Sequence, residues 1–135
     1  YLSNDFKLAL KLRLDGVYLP SFNKSTRYNC FKFKKNFDVI GSAHNVMELN
    51  TKIRQQVKSI FIAPVFKKKI NKLGIYGFLK FRSFTNRELI VLGGVTSEKM
   101  NMINFLNAEG FAAIDYFQKK KAPLKKGALN LFNYL

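Results

Sequence analysis

The sequence predicts an α/β fold built like a β/α barrel, and three observations predict it. Apolar runs within Asp38–Asn45, Ser59–Phe66 and Leu89–Thr96 are too continuous for strands with one wet face, so they read as parallel strands buried on both faces. Each run ends in polar or glycine residues and gives way to helical spacing. Strand and helix then alternate along the chain with no linker, low-complexity segment or composition break. Polar residues just past the ends of such strands stand where a β/α barrel sets its chemistry.

Taken in order, Tyr1-Leu2-Ser3 reads as the end of a strand, and Asn4-Asp5 opens a helix whose apolar positions are Phe6, Leu8, Ala9, Leu10 and Leu12. Asp15-Gly16 turns the chain into a short strand, Val17-Tyr18-Leu19, which Pro20 stops. Residues 21–37 are polar and basic, with aromatic residues interleaved, and read as a loop with at most a short helix. After the strand over 38–43, Asn45 is placed to cap a helix, with Glu48 in capping-box position and Val46, Leu49, Ile53 and Val57 at helical spacing. Ser59–Ala63 is the next strand, followed by a long loop from Pro64 to Gly77 and a short helix over 78–84. Glu88–Leu92 is a further strand. Thr96 is expected to cap a helix carrying Met100, Ile103 and Leu106, with Gly110 ending it at C′ and a last strand over 111–114.

Counting Tyr1–Ser3 gives six β/α units, two short of a barrel of eight, and Tyr1 falls inside a strand. The expectation is therefore one partial barrel domain over 1–135, lacking its first two β/α units and ending in a basic tail over 119–135. A complete barrel takes ~250 residues.

The formal charge of +16 is extreme for 135 residues and raises nucleic acid or an anionic surface as partners. Lysines outnumber arginines 19 to 5 and most charges are scattered, which points to a lysine-rich composition rather than to bidentate base reading. No specific nucleic acid is expected. Cys30 is the single cysteine, so the chain can build neither a disulfide framework nor a thiolate metal site, which fits a reducing cytoplasm. No apolar run reaches the ~18 residues of a membrane span, and no membrane partner is expected.

Four groups could carry chemistry. Gly93-Gly94, between a buried strand and a capped helix, lets backbone N–H groups approach a phosphate, or is simply a tight turn that needs small residues. His44, the only histidine, stands at a strand end and could move protons near neutral pH, or be no more than a polar helix start. Asp5 could ligate a hard cation such as magnesium or cap the helix that follows. Lys67, Lys68, Lys69 and Lys72 could close over a diphosphate or remain solvated.

Read together, these motifs resemble the thiamine phosphate synthase / thiazole tautomerase (TenI-like) family. The resemblance runs from Tyr1 to about Gln118, through Ser3-Asn4-Asp5, Asp15-Gly16-Val17-Tyr18-Leu19, Gly41-Ser42-Ala43-His44-Asn45, Ala63-Pro64-Val65-Phe66, Leu73-Gly74 with Gly77-Phe78, and Leu92-Gly93-Gly94-Val95-Thr96. It implies an eight-stranded barrel entered at its third strand. It further implies either of two activities in thiamine biosynthesis. A synthase couples hydroxymethylpyrimidine diphosphate to thiazole phosphate with magnesium and releases pyrophosphate. A tautomerase moves a proton on the thiazole and uses no cofactor. Carried over by position, the resemblance makes His44 the proton-transfer residue and Asp5 a magnesium ligand. It gives Gly93 and Gly94 to the thiazole phosphate and sets Asn4 beside Asp5 as the family's strand-end pair; Asn4, Ser42, Lys68 and Lys72 are the further candidates for binding substrate. The partners implied are small phosphorylated substrates, with homo-oligomerisation allowed.

This sequence departs from the synthase pattern in places. Where a second metal carboxylate is expected, Pro20-Ser21-Phe22-Asn23 supplies Asn23, a neutral and weaker ligand. Leu19-Pro20-Ser21 looks more like the tautomerase branch. The loop threonines that follow the sixth strand in synthases are replaced by lysines and Ile70, and a serine near the eighth strand by Gln118. A barrel that binds a phosphate ligand without turnover is the third reading these departures allow.

Overall fold

The computed structural model describes residues 1–27, 35–66, 73–114, 116 and 117. Six strands alternate with helices in the order β1 (Leu2–Ser3), α1 (Phe6–Lys11), β2 (Gly16–Leu19), β3 (Asp38–Ala43), α2 (Val46–Arg54), β4 (Ser59–Ile62), α3 (Gly74–Ser83), β5 (Glu88–Leu92), α4 (Met100–Phe105) and β6 (Gly110–Ala112). All five strand pairings are parallel, and the order across the sheet is the order along the chain. The fold is an α/β arc of a β/α barrel.

The two faces of the sheet explain the continuous apolar runs. Val17, Leu19, Val39, Ala43, Ile60, Ile62, Leu89, Val91 and Phe111 turn outward into one large core with Phe6, Ala9, Leu49, Phe78, Phe81 and Ile103 from the helices. The alternate positions Ile40, Phe61 and Ala112, with Tyr18, Ile90 and Leu92, form a second, inner cluster on the face a barrel turns inward. A strand apolar on both faces shows no period-two signal, and that is the pattern the sequence carries.

Three local expectations are corrected. The helix expected over 78–84 begins at Gly74, because a Cβ on Gly77 would meet the Leu73 side chain at 2.5 Å; glycine at 77 admits Leu73 against the helix instead of breaking it. Thr96 precedes a 3-10 turn, Ser97–Lys99, and its side chain makes no capping bond; only then does α4 begin. Gly110 is not the C′ residue of that helix. Asn107 takes the left-handed conformation (φ 51°) after α4, and Gly110 opens β6.

Parallel strands put all their carboxyl ends at one end of the sheet. That end gathers Asn4-Asp5 after β1, Pro20–Asn23 after β2, His44-Asn45 after β3, Ala63–Phe66 after β4 and Gly93–Thr96 after β5. A groove of about 390 Å³ lies at the opposite, amino end, lined among others by Asp38, Lys58, Arg87 and Glu88. In β/α barrels that end carries stability and the carboxyl end carries chemistry.

Candidate active site at the carboxyl ends of the strands

His44 is exposed, and its ring orientation is fixed from the next strand. Nδ1 lies 2.7 Å from the carbonyl oxygen of Ala63. A carbonyl only accepts, so Nδ1 carries the proton and donates it, which leaves the Nε2 lone pair free to take another. The helix start behind it is equally determined. Asn45 Oδ1 accepts from the Glu48 N–H (2.9 Å), and the Glu48 carboxylate accepts from the His44 N–H (2.7 Å) and Asn45 Nδ2 (2.9 Å). Glu48 is thereby spent on anchoring the backbone of His44 rather than on its ring.

The loops after β4 and β5 are stitched to each other beside this residue. Val65 N donates to Leu92 O (3.1 Å) and Phe66 N to Gly93 O (2.9 Å). Gly93 and Gly94 both have positive φ, 95° and 75°. A Cβ on Gly93 would stand 3.1 Å from Cα and Cβ of Pro64, so glycine is required there by backbone conformation and by the approach of Pro64. Ala63-Pro64, the cis peptide that holds His44 through its carbonyl, is thus the same segment that packs on Gly93. Among the described residues, the N–H groups of Gly94 and Val95 donate to no protein acceptor; Gly94 is partly exposed and its N–H can serve an anion, whereas Val95 is buried in the core.

On the other side, Asn4 (φ 62°) receives Asn23 Nδ2 on its Oδ1 at 2.7 Å. Asn23 Oδ1 in turn accepts from Ser25 N (2.8 Å) and Gln55 Nε2 (3.2 Å). Asp5 Oδ1 caps α1 by accepting from Leu8 N at 2.9 Å. Between the two groups Tyr18 donates its hydroxyl to the buried Ser42 Oγ (2.7 Å), and the Ser42 proton remains available at the top of the inner face.

The metal expectation can be tested on these atoms. One oxygen of Asp5 is committed to a helix cap, and both lone pairs of the Asn23 amide oxygen already have donors. Among the described residues no group of three or more His, Cys, Asp or Glu side chains could hold an ion. Of this pair, only Asp5 Oδ2 has no protein donor among the described residues, and the Asn23 amide oxygen is saturated. Lys68, Lys72, Gln118, Cys30 and the tail over 119–135 lie outside the described residues.

Two residues of the site were not anticipated. Lys52 is fully buried on α2, and with Gln55 it ties down the loop after β2. Its sequence signal is a lysine three residues after Leu49, on the apolar stripe of an otherwise amphipathic helix.

No protein-family model matches the chain, and no curated protein matches it in sequence. Solved structures do match in shape. A thiamine phosphate pyrophosphorylase from Pyrococcus furiosus superposes with a TM-score of 0.68 at 17% identity, over 84% of this chain and 55% of that one. The likeness is one of fold. Native KDPGal gives a TM-score of 0.62 at 12% identity with the same two coverages. A cube-shaped, porous protein cage designed by fusing symmetric oligomeric domains gives 0.59 at 13%, over 76% of this chain and 36% of that one. The chain therefore spans about half the length of the first of these structures. No helix among the described residues is long and apolar enough to cross a membrane.

Proposed function

We propose that this chain is a thiazole tautomerase of the TenI-like kind, acting in thiamine biosynthesis on a phosphorylated thiazole. The observation that carries the reading is His44, whose Nδ1–H is held by Ala63 O, which leaves Nε2 as the ring nitrogen for proton transfer, on the strand-end segment whose neighbour Pro64 packs on Gly93. The Gly94 N–H would bind the substrate phosphate, with the net positive charge drawing anions in. Nε2 would take a proton from one ring carbon, and the resulting imidazolium would return one to the other position, which leaves the thiazole aromatic. The Ala63 carbonyl supports that charge build-up, because it accepts a hydrogen bond that strengthens when the ring becomes cationic. Asn4 and Ser42 would orient the substrate's polar groups, a role supported by their position at the strand ends.

Synthase activity is the second reading. It is favoured by the fold shared with the Pyrococcus furiosus pyrophosphorylase and opposed by the commitments of Asp5 and Asn23. One assay separates these. The protein is incubated with thiazole carboxylate phosphate, with and without hydroxymethylpyrimidine diphosphate and magnesium, and the products are followed by chromatography. Aromatised thiazole alone supports the tautomerase; thiamine phosphate replaces it with the synthase; neither product leaves a barrel that binds without turnover. In a tautomerase, His44→Ala lowers turnover by about 10²–10⁴-fold while substrate binding is retained.

A further inference from the structure

Lys52 belongs to a helix, yet its charged end serves a loop. A Cβ on Gly41 of β3 would lie 2.9 Å from Lys52 Cδ and 3.4 Å from Cε, so the missing side chain at 41 is what lets the lysine stem cross the strand. The side chain is fully buried and its ammonium ends among oxygens alone: Pro20 O at 2.7 Å, Asn23 O at 2.9 Å and Gln55 Oε1 at 2.9 Å. Three protons meet three acceptors, which is the condition for keeping a buried ammonium. Among the described residues no carboxylate pairs with it; the charged group among them that acts on it is Glu48, one turn earlier on the same helix, whose carboxylate is committed to His44 N and Asn45 Nδ2. Gln55 repeats the grip with Nε2 on Asn23 O (2.9 Å) and Ser25 O (2.8 Å).

We infer that Lys52 is a positioning residue whose ammonium latches the loop over residues 20–25 and thereby sets Asn23, and through it Asn4, at the carboxyl end of the sheet. Its Nζ is saturated and closed to solvent, so it cannot touch substrate itself. It binds main-chain carbonyls and so fixes the course of the loop. The Asn23 side chain is then presented to Asn4, and Asn23 N closes a turn onto Pro20 O at 3.0 Å.

The test is amide hydrogen exchange on the protein and on Lys52→Met. Loss of the latch makes the Asn23 and Ser25 amides exchange about tenfold faster or more, while amides of α2 from Leu49 to Ile53 keep their rates. Unchanged loop exchange overturns the inference, and so does parallel acceleration throughout α2, which marks a residue that merely holds its helix. Lys52→Gln reads the same amides should Lys52→Met not fold; failure of both to fold also overturns it. A kinetic arm rests on the proposed proton transfer: KM for the thiazole phosphate rises about tenfold with kcat nearly kept. A fall in kcat at constant KM would put Lys52 in the chemistry instead and overturn the positioning role. Absence of any wild-type turnover defeats the tautomerase reading alone, because the exchange experiment still decides the latch.

Discussion

Burial pushes the Lys52 pKa down to about 8, with Glu48 opposing the shift. An unfolded lysine titrates near ~10.4, so between those values the unfolded chain holds a proton that the folded chain has shed. Stability therefore rises as pH climbs through that window and is flat, from this group, below it. Lys58 acts oppositely: the hydrogen bond to Asp38 raises its pKa, and its contribution is lost as pH rises through the folded value. Comparing the protein with Lys52→Met cancels that background. Urea melts from pH 7.5 to about 10.5 should show wild type gaining on the variant by roughly 2–3 kcal/mol; a constant gap would mean that the ammonium stays charged where it lies. The contrast between Lys52 and His44 shows what was legible. His44, Asn45 and Glu48 declare themselves within five residues, through local capping chemistry. The main-chain acceptors of Lys52 lie 29 and 32 residues upstream, across a strand pairing that composition and spacing do not encode.

Helix ends form a second class of feature that the sequence only half discloses. α1, α2 and α4 are each followed by a left-handed residue that is not glycine: Arg13 (φ 54°), Gln56 (φ 56°) and Asn107 (φ 51°). Glycine is the usual signature of this conformation, so a search for glycine passes these ends and settles on Gly110. Each side chain carries a steric cost that glycine would not. Arg13 is exposed and its N–H donates to Leu10 O at 3.1 Å, a bond that substitution keeps. Arg13→Gly is expected to raise stability by about 1 kcal/mol in chemical denaturation, and a loss of stability would show that the arginine side chain makes a compensating contact. The starts of α1 and α2 were legible, because Asp5 and Asn45 cap through their own side chains within three residues. The early start of α3 was hidden for a different reason. Gly74 and Gly77 signal a turn locally, and only the packed position of Leu73 reverses that reading.

Across the whole molecule, a net charge of +16 is set against two ion pairs among the described residues, Lys58–Asp38 at 2.9 Å and Arg82–Glu109 at 2.6 Å. Both are partly exposed, so each contributes little, and self-repulsion is the larger electrostatic effect. Raising salt from about 10 to about 150 mM shortens the screening length from roughly 30 to 8 Å. The thermal midpoint should rise over that range. A fall would mean that a few specific pairs outweigh the general repulsion. The parallel β/α succession was legible at this scale because burial on both sheet faces writes itself into β2 to β6, whereas the knitting of one strand-end loop to the next does not. The strand order has one further effect. Since β1 to β6 lie side by side in the order in which they are synthesised, each new strand leaves the ribosome to find its sole partner already waiting at the growing edge. The sheet can lengthen as translation proceeds, and within these six strands the places for a wrong pairing are confined to its two edges.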